Sequence, residues 1–284
     1  MVEESPASPK SPKSHTNPKS SILIGTSGYD YPEWRGVFYP ADLKRKDFLP
    51  YYSTVFNALE VNSTFYNMPT AESLISFYER SEGRLNFSIK ASRLLTHEID
   101  SGWQTAAKDF KSAVRPLQEK DRLSALLFQF PQSFHYTKEN RIYLAKLISE
   151  FEGFPTLIEF RHREWIRESV FEGLEKRNAS IVFCDMPQLK NLPDGTLAKT
   201  PFVGSNAYIR MHGRNENAWY NAEGQNGSSR YCYEYSDDEL SSFVPIVRQA
   251  NGEGKKVQMY FNNHPKGSGA KNARRMREMV EAAF

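Results

Sequence analysis

Eight short runs of apolar, β-branched and aromatic residues recur along the chain, each bounded by polar or turn-forming residues. They are Ser21–Gly25, Ala58–Asn62, Leu85–Lys90, Leu123–Phe128, Thr156–Phe160, Ser180–Cys184, Asn206–Met211 and Val257–Phe261. Their length and their content of Ile, Leu, Val, Phe and Tyr predict β-strands. Between them the apolar positions shift to helical spacing. Ala71–Glu82 places Leu74, Phe77 and Tyr78 on one face, and Glu139–Phe151 does the same with Ile142, Leu144, Leu147, Ile148 and Phe151. The last segment, Ala270–Phe284, repeats the pattern with Ala273, Met276, Val280 and Ala283. Asp237–Ala250 is predicted as one helix, with Ser236 as N-cap and acidic residues in the first turn that complement the helix dipole.

Eight strands alternating with helices is the arithmetic of a (β/α)8 TIM-type barrel, an α/β fold of about 250 residues. The competing architecture, a doubly wound open sheet, usually carries a G-x-G-x-x-G turn after its first strand. Here that turn reads GTSGYD. No composition shift marks an internal linker, so residues 21–284 are predicted as one barrel domain. Residues 1–20 (MVEESPASPKSPKSHTNPKS) are Ser-, Pro- and Lys-rich with no apolar period. Such a segment cannot bury enough surface to offset its ordering entropy and is predicted to be a disordered, solvated tail.

Composition narrows the function classes. The 284 residues are 39% hydrophobic and 25% charged, which excludes a wholly disordered chain, a collagen or a disulfide scaffold. Net charge is +3, from 37 basic and 34 acidic residues, so bulk charge does not mark a nucleic-acid binder. The two cysteines, Cys184 and Cys232, lie far apart and form no metal-ligand motif, which points to a reducing compartment without structural zinc. No run approaches the roughly 20 apolar residues of a membrane span. The polar N-terminus lacks a secretory h-region, and the expected localisation is cytoplasmic.

In a barrel the active site gathers at the C-terminal ends of the strands. The first run ends in Thr26 and Ser27. The second holds Glu60 and Asn62 and leads to Tyr66. The third ends in Lys90, with His97 beyond it, and Gln129 follows the fourth. The fifth carries Glu159, then Arg161, His162 and Trp165. Asp185 follows the sixth, Arg210 and His212 end the seventh, and Asn262 and Asn263 end the eighth. Glu60, Glu159 and Arg210 stand out because they lie inside apolar runs, where a charge needs a partner. Strand alternation puts Glu60 with Asn62, Glu159 with Arg161, and Arg210 with His212 on common faces. If those faces point inward, the groups converge on a pocket suited to acid–base work or to an anionic polyol. The plainer reading is a set of buried salt bridges that hold the barrel top together.

Three functions compete. The first is an enzyme, sugar-isomerase-like or hydrolase-type, acting on a small polyhydroxy or phosphorylated ligand. Its general acid or base is Glu159 or Glu60, its anion clamp Lys90, Arg161 and Arg210, and its proton carrier His212. The second is metal-dependent isomerase-like or phosphodiester-cleaving chemistry, with Glu60, Glu159, Asp185 and His212 around a Mg or Mn ion; otherwise the sequence requires no cofactor. The third is a non-catalytic nucleic-acid binder using Lys44–Lys46, Lys271, Arg274, Arg275 and Arg277, weighed against a solvated helix face diluted by Glu278 and Glu281. Trp34, Trp103, Trp165 and Trp219 are sugar- or base-stacking candidates, and more often rim or core packers, while Tyr66 and Tyr220 carry hydroxyls able to bond a ligand. Cys184 is expected to be buried and inert.

The strings GTSGYDYPEWRGVFYP, LEVNSTFYNMP, FSIKASRLLTH, LLFQFP, IEFRHREW, YIRMHGR and YFNNHPKGSGAKNA occur in that order. Together they resemble the YecE-like family, one of the domains of unknown function, from about Ile22 to the last helix. The resemblance implies a TIM-type barrel and, loosely, kinship with sugar isomerases. It brings no activity with it. Its motifs fall on the strand-end candidates named above. Two departures occur: Tyr29-Asp30-Tyr31 replaces an expected Trp followed by Ser-Tyr, and Asn67 stands where Arg is usual, a loss expected to weaken an anion contact.

Overall fold

A computed structural model describes residues 22–194, 201–221 and 225–284, the side chains of 225–227 excepted. The tail expected over residues 1–20 lies outside the described residues. Eight parallel strands close into a barrel in chain order: β1 (Ile22–Ser27), β2 (Ala58–Val61), β3 (Asn86–Lys90), β4 (Leu123–Gln129), β5 (Thr156–Glu159), β6 (Ser180–Asp185), β7 (Asn206–Met211) and β8 (Lys256–Phe261). Pairing of β1 with β8, from Ile22 opposite Val257 to Thr26 opposite Phe261, closes the ring and rules out the open sheet. Several strands run further than their apolar runs. Ser27 pairs with Glu60, and Gln129 with Glu159, so these polar ends obey strict in–out alternation.

That alternation divides the core in two. Outward residues such as Ile24, Leu59, Phe87, Ile89, Leu126, Phe128, Ile158, Ile209 and Met259 pack under the helices. Inward residues fill the barrel in layers, as barrels of this size require. Near the strand N-termini, Gln258 bonds Asn206 (3.1 Å) and the Ser124 carbonyl (3.2 Å). Leu23, Ala58, Ala125, Leu127, Leu157, Val182, Tyr208 and Tyr260 form the middle. The charged residues Glu60, Glu159 and Arg210 cap it, all buried.

The helices are α1 (Phe48–Val55), α2 (Ala71–Arg80), α3 (Trp103–Glu119), α4 (Lys138–Glu150), α5 (Glu168–Glu175), α6 (Asp237–Ser241), α7 (Val244–Gly252) and α8 (Ser268–Ala283). Among the described residues no helix links β6 to β7. The segment expected as one helix over Asp237–Ala250 is two. Pro245 at the start of α7 has no N–H to offer the preceding turn, and its ring crowds that turn. Leu240, Phe243, Val247 and Ala250 nevertheless bury one continuous apolar face across the break, which is why the sequence reads as a single helix. The expected cap at Ser236 is present as a capping box. Its hydroxyl accepts from the Glu239 amide (3.2 Å), and its amide donates to Glu239 Oε2 (2.9 Å).

Local contacts fix the strand ends. The Tyr52 hydroxyl on α1 accepts from the Thr26 amide (2.8 Å) and donates to the Ala58 carbonyl (2.9 Å), tying α1 to β1 and β2. Only glycine fits at position 25, where a Cβ would lie 2.0 Å from the Ala58 oxygen. Trp34 is fully buried and donates to the His264 carbonyl (2.9 Å), and Trp103 packs edge-on to Tyr143. No helix among the described residues is long and apolar enough to cross a membrane.

Candidate functional site

A ladder of alternating charges spans the top of the barrel. Glu60 Oε1 accepts from Ser27 Oγ (2.6 Å) and Arg210 Nη2 (2.6 Å), and its Oε2 from the Tyr208 hydroxyl (2.7 Å) and Arg210 Nε (3.0 Å). Arg210 Nη1 then reaches Glu159 Oε2 at 2.7 Å. Glu159 Oε1 accepts a short bond from Arg161 Nε, and Arg161 Nη2 lies 3.0 Å from His212 Nε2. Two carboxylates thus meet two guanidiniums, and the charges cancel. The pairing is needed, because an unpaired charge at this depth would cost several kcal/mol.

The ladder decides which protons can move. Burial alone would raise the Glu159 carboxyl, but Arg161, Arg210 and His212 together outweigh it and hold it well below the usual carboxylate range. With both oxygens engaged, Glu159 is a fixed anion rather than a general acid or base. Both oxygens of Glu60 are likewise engaged, by four hydrogen bonds. His212 is pushed down to about 3 by burial and by Arg161. Arg161 donates to Nε2, so the ring proton sits on Nδ1, and Asn262, 3.0 Å away, must present its oxygen there. A histidine kept neutral and locked between two partners takes up no second proton near pH 7. Glu60, Glu159 and His212 thus brace Arg161 and Arg210.

Above the ladder opens a cavity of about 330 Å³ lined by Phe65, Lys90, His97, Gln129, Pro131, Gln132, Arg161, Leu192, Trp219, Tyr220, Arg230 and Tyr231. No acidic side chain faces it among the described residues. Lys90, at the end of β3, places its ammonium 4.2 Å over the Phe65 ring. Burial and then Arg210 push its pKa down to about 7. His97 holds Thr96 Oγ1 at 2.9 Å, and partial desolvation and the Lys90 charge lower it to about 4. Gln129 donates to the Phe130 carbonyl at 3.1 Å. Arg161 Nη1 has no partner among the described residues, and Arg230 Nε is buried without one.

Other sequence candidates are placed elsewhere. Asp185 points away from the barrel axis, where Arg214 clasps it with three contacts of 2.7–3.2 Å and the Tyr235 hydroxyl donates at 2.7 Å. It staples β6 to the loop after β7 and does not join Glu60 and Glu159. Trp165 is core: its ring stacks between Phe134 (5.1 Å) and Phe160 (4.6 Å), and its indole N–H donates to the Phe134 carbonyl. His162 caps the turn at Arg163–Trp165, accepting from the Glu164 amide at 3.3 Å, and faces a neighbouring surface pocket with His135. Asn263 clamps α8, donating to the Tyr233 carbonyl and to Asn272 Oδ1, both at 2.9 Å. Tyr66 is half exposed on the rim (51%), and Asn62 leaves its Oδ1 buried without a partner.

The cation set of the metal reading is not assembled. Asp185 faces outward, and Arg210 and Arg161 occupy the carboxylate oxygens. Glu159, Cys184 and His212 do approach one another within 4.8 Å, but Arg161 sits between Glu159 and His212, and burial pushes the Cys184 thiol up, away from a ligating thiolate. The basic patch on α8 is offset as well. Arg274 and Arg275 meet Glu278, Arg277 meets Glu281, Arg275 also meets Asp237, and Lys271 meets Glu234.

Arg230, Tyr231 and Gln132 were not apparent from strand ends, because they sit on loops. The signal available was loop length: Met211 to Asp237 is a long connection, and long loops in compact folds tend to be functional. Gly213 starts it with φ +86°, where a Cβ would lie 2.4 Å from that of Tyr233. Its amide donates to the Tyr235 hydroxyl at 2.8 Å, which folds the loop back over the mouth. The His162-x-Glu164 spacing brings a further cluster together with His135, outside the mouth.

The sequence pattern of the family described as "Protein of unknown function DUF72" matches residues 23–284. The curated relative "UPF0759 protein YunF" of Bacillus subtilis (strain 168) is 26% identical over 274 residues, covering 93% of this chain and 96% of its own. A DUF72 family protein of Thermotoga maritima MSB8, solved by crystallography, is 34% identical with a TM-score of 0.82, covering 92% of this chain and 99% of that one. A DUF72 family structure from Enterococcus faecalis V583 is 24% identical with a TM-score of 0.78, covering 93% and 96%.

Proposed function

The chain belongs to the DUF72 family, and from that premise we propose that its barrel mouth binds a small phosphorylated or otherwise anionic polyhydroxy compound and acts on it as an enzyme. One observation carries this reading: Lys90, Arg161 and Arg230 converge on a cavity with no acidic side chain among its described lining. Among the described residues Lys90 and Arg230 have no acidic partner, and Arg161 keeps Nη1 unengaged beside its Glu159 pair, an arrangement suited to an anion from solution. Arg161 is the best-built of them. Glu159 and His212 fix two of its nitrogens and leave Nη1 free for the ligand. A guanidinium held in this way loses little entropy when it binds an oxyanion.

The remaining lining fits a polyol. Gln129, Gln132, Tyr220 and Tyr231 offer donors and acceptors for hydroxyls, while Trp219 and Phe65 offer faces for C–H groups. A volume of about 330 Å³ lies at the small end of ligand sites and suits a sugar phosphate better than a polymer. Acid–base work at neutral pH falls to Lys90, the lining group held near pH 7.

Calorimetric titration with inorganic phosphate tests the reading. Binding to the wild-type chain is expected, weakened about tenfold or more in Arg230→Met, which removes one charge-assisted contact. Absence of binding, or equal affinity in the variant, would count against an anion site in the mouth. Tight, steeply salt-dependent binding of DNA fragments instead would favour the nucleic-acid reading.

A further inference from the structure

We propose that Lys90 is a nucleophile that forms an imine with the aldehyde or ketone carbon of a small phosphorylated carbonyl compound in the barrel mouth. This deepens the anion-site reading and rests on it. Lys90 lines the cavity, and among the described residues its Nζ has no hydrogen-bond partner or ion pair, only the Phe65 face at 4.2 Å. The carboxylates that could hold it are spent: Glu60 on Ser27, Tyr208 and Arg210, and Glu159 on Arg210 and Arg161. Because the ladder is already neutral, a protonated Lys90 is a surplus charge in a desolvated floor.

An anchoring lysine would be expected to meet a carboxylate. An amine kept free of partners, beside two arginines, instead has an available lone pair. Burial is the main cause of its lowered pKa of about 7. Arg210 and Arg161 act in the same direction, and Glu159 and Glu60 oppose them. Compared with an ordinary lysine, the unprotonated fraction at pH 7 is roughly a thousandfold larger.

The step balances without a co-reactant. The amine lone pair attacks the carbonyl carbon, forming a C–N bond and moving the π electrons onto oxygen. A proton passes from nitrogen to that oxygen, giving the carbinolamine. Loss of water then forms the C=N bond, so both amine hydrogens leave with the carbonyl oxygen and nothing is oxidised or reduced. Arg161 and Arg230 hold the phosphate during these steps, leaving Lys90 free to react.

The test uses the full-length wild-type protein, dihydroxyacetone phosphate as probe and cyanoborohydride to trap the imine at pH 7, followed by peptide mass mapping. One adduct per chain is expected, on Lys90. Labelling should be about tenfold or more slower with unphosphorylated dihydroxyacetone, the worth of one charge-assisted contact, and inorganic phosphate should compete. Lys90→Arg, folded by circular dichroism, should not be labelled. Adducts scattered over other lysines with Lys90 unmodified would overturn the proposal. Phosphate binding without Lys90 labelling would remove the nucleophile and leave the anion site. Labelling of Lys90 at equal rates with and without the phosphate group would keep the nucleophile and remove the anion site. Neither binding nor labelling would remove both.

Discussion

Arg210→Met tests whether the charge ladder is as buried as its geometry implies. Arg210 bonds both Glu60 and Glu159 and is 2% exposed, with both carboxylates at 0%. Removing one partner of a buried pair typically costs about 3–5 kcal/mol, because the other charge stays buried without compensation. Here one substitution strands two carboxylates, which places the loss at about 5 kcal/mol, comparable to the whole stability of many domains. The pH dependence gives a second, independent signature. In the wild type the folded Glu159 pKa is depressed, so its contribution is present above the unfolded value and is lost as pH falls. Without Arg210, burial weighs more heavily on Glu159 and raises its carboxyl pKa, so the variant should gain on the wild type as pH falls from 7.5 to 5. Urea unfolding at the two pH values measures both effects. Adding Glu60→Gln and Glu159→Gln to Arg210→Met should recover part of the loss. A cost below about 1 kcal/mol, as found for exposed pairs, would refute the argument.

Two further substitutions check other parts of the account. Lys90 has a folded pKa of about 7, below that of an unfolded lysine, so its burial costs stability fully below pH 7, and the cost fades as pH rises toward the unfolded value. Lys90→Met should therefore be more stable than the wild type by about 4 kcal/mol at pH 6, with the gap closing by about pH 10 in urea unfolding. A constant gap would place the ammonium in water. Ser236→Ala should cost about 1 kcal/mol by thermal unfolding, since it removes the cap that α6 shares with Glu239. No change would mean that the capping box is not formed in solution.

Much of the fold could be read in advance because each strand's apolar run is continuous enough to be seen without its neighbours. The polar strand ends were legible for the same reason: a charge inside an apolar run, such as Glu60 or Arg210, has few explanations. Local pattern could not reveal how those charges pair. Glu60 and Arg210 are 150 residues apart and meet only because β2 and β7 face one axis. The ladder is structural, and its top member, Arg161, opens into the cavity. Asp185 misled because it lies one residue out of phase with Cys184, so alternation turns it away from the axis. Three helices carry no apolar period visible in the sequence. α1 and α5 are eight residues each, too short to repeat a period, and much of the buried stripe of α3 is alanine. Arg230 carries no local signal; only the loop that folds back from Gly213 brings it to the mouth.

Anomalous diffraction from crystals soaked in tungstate, a heavy tetrahedral oxyanion, tests the central claim most directly. A peak is expected in the cavity within hydrogen-bond distance of Arg161 and Arg230, displaced by phosphate. An empty mouth, with tungstate only on surface side chains such as those of α8, would contradict it.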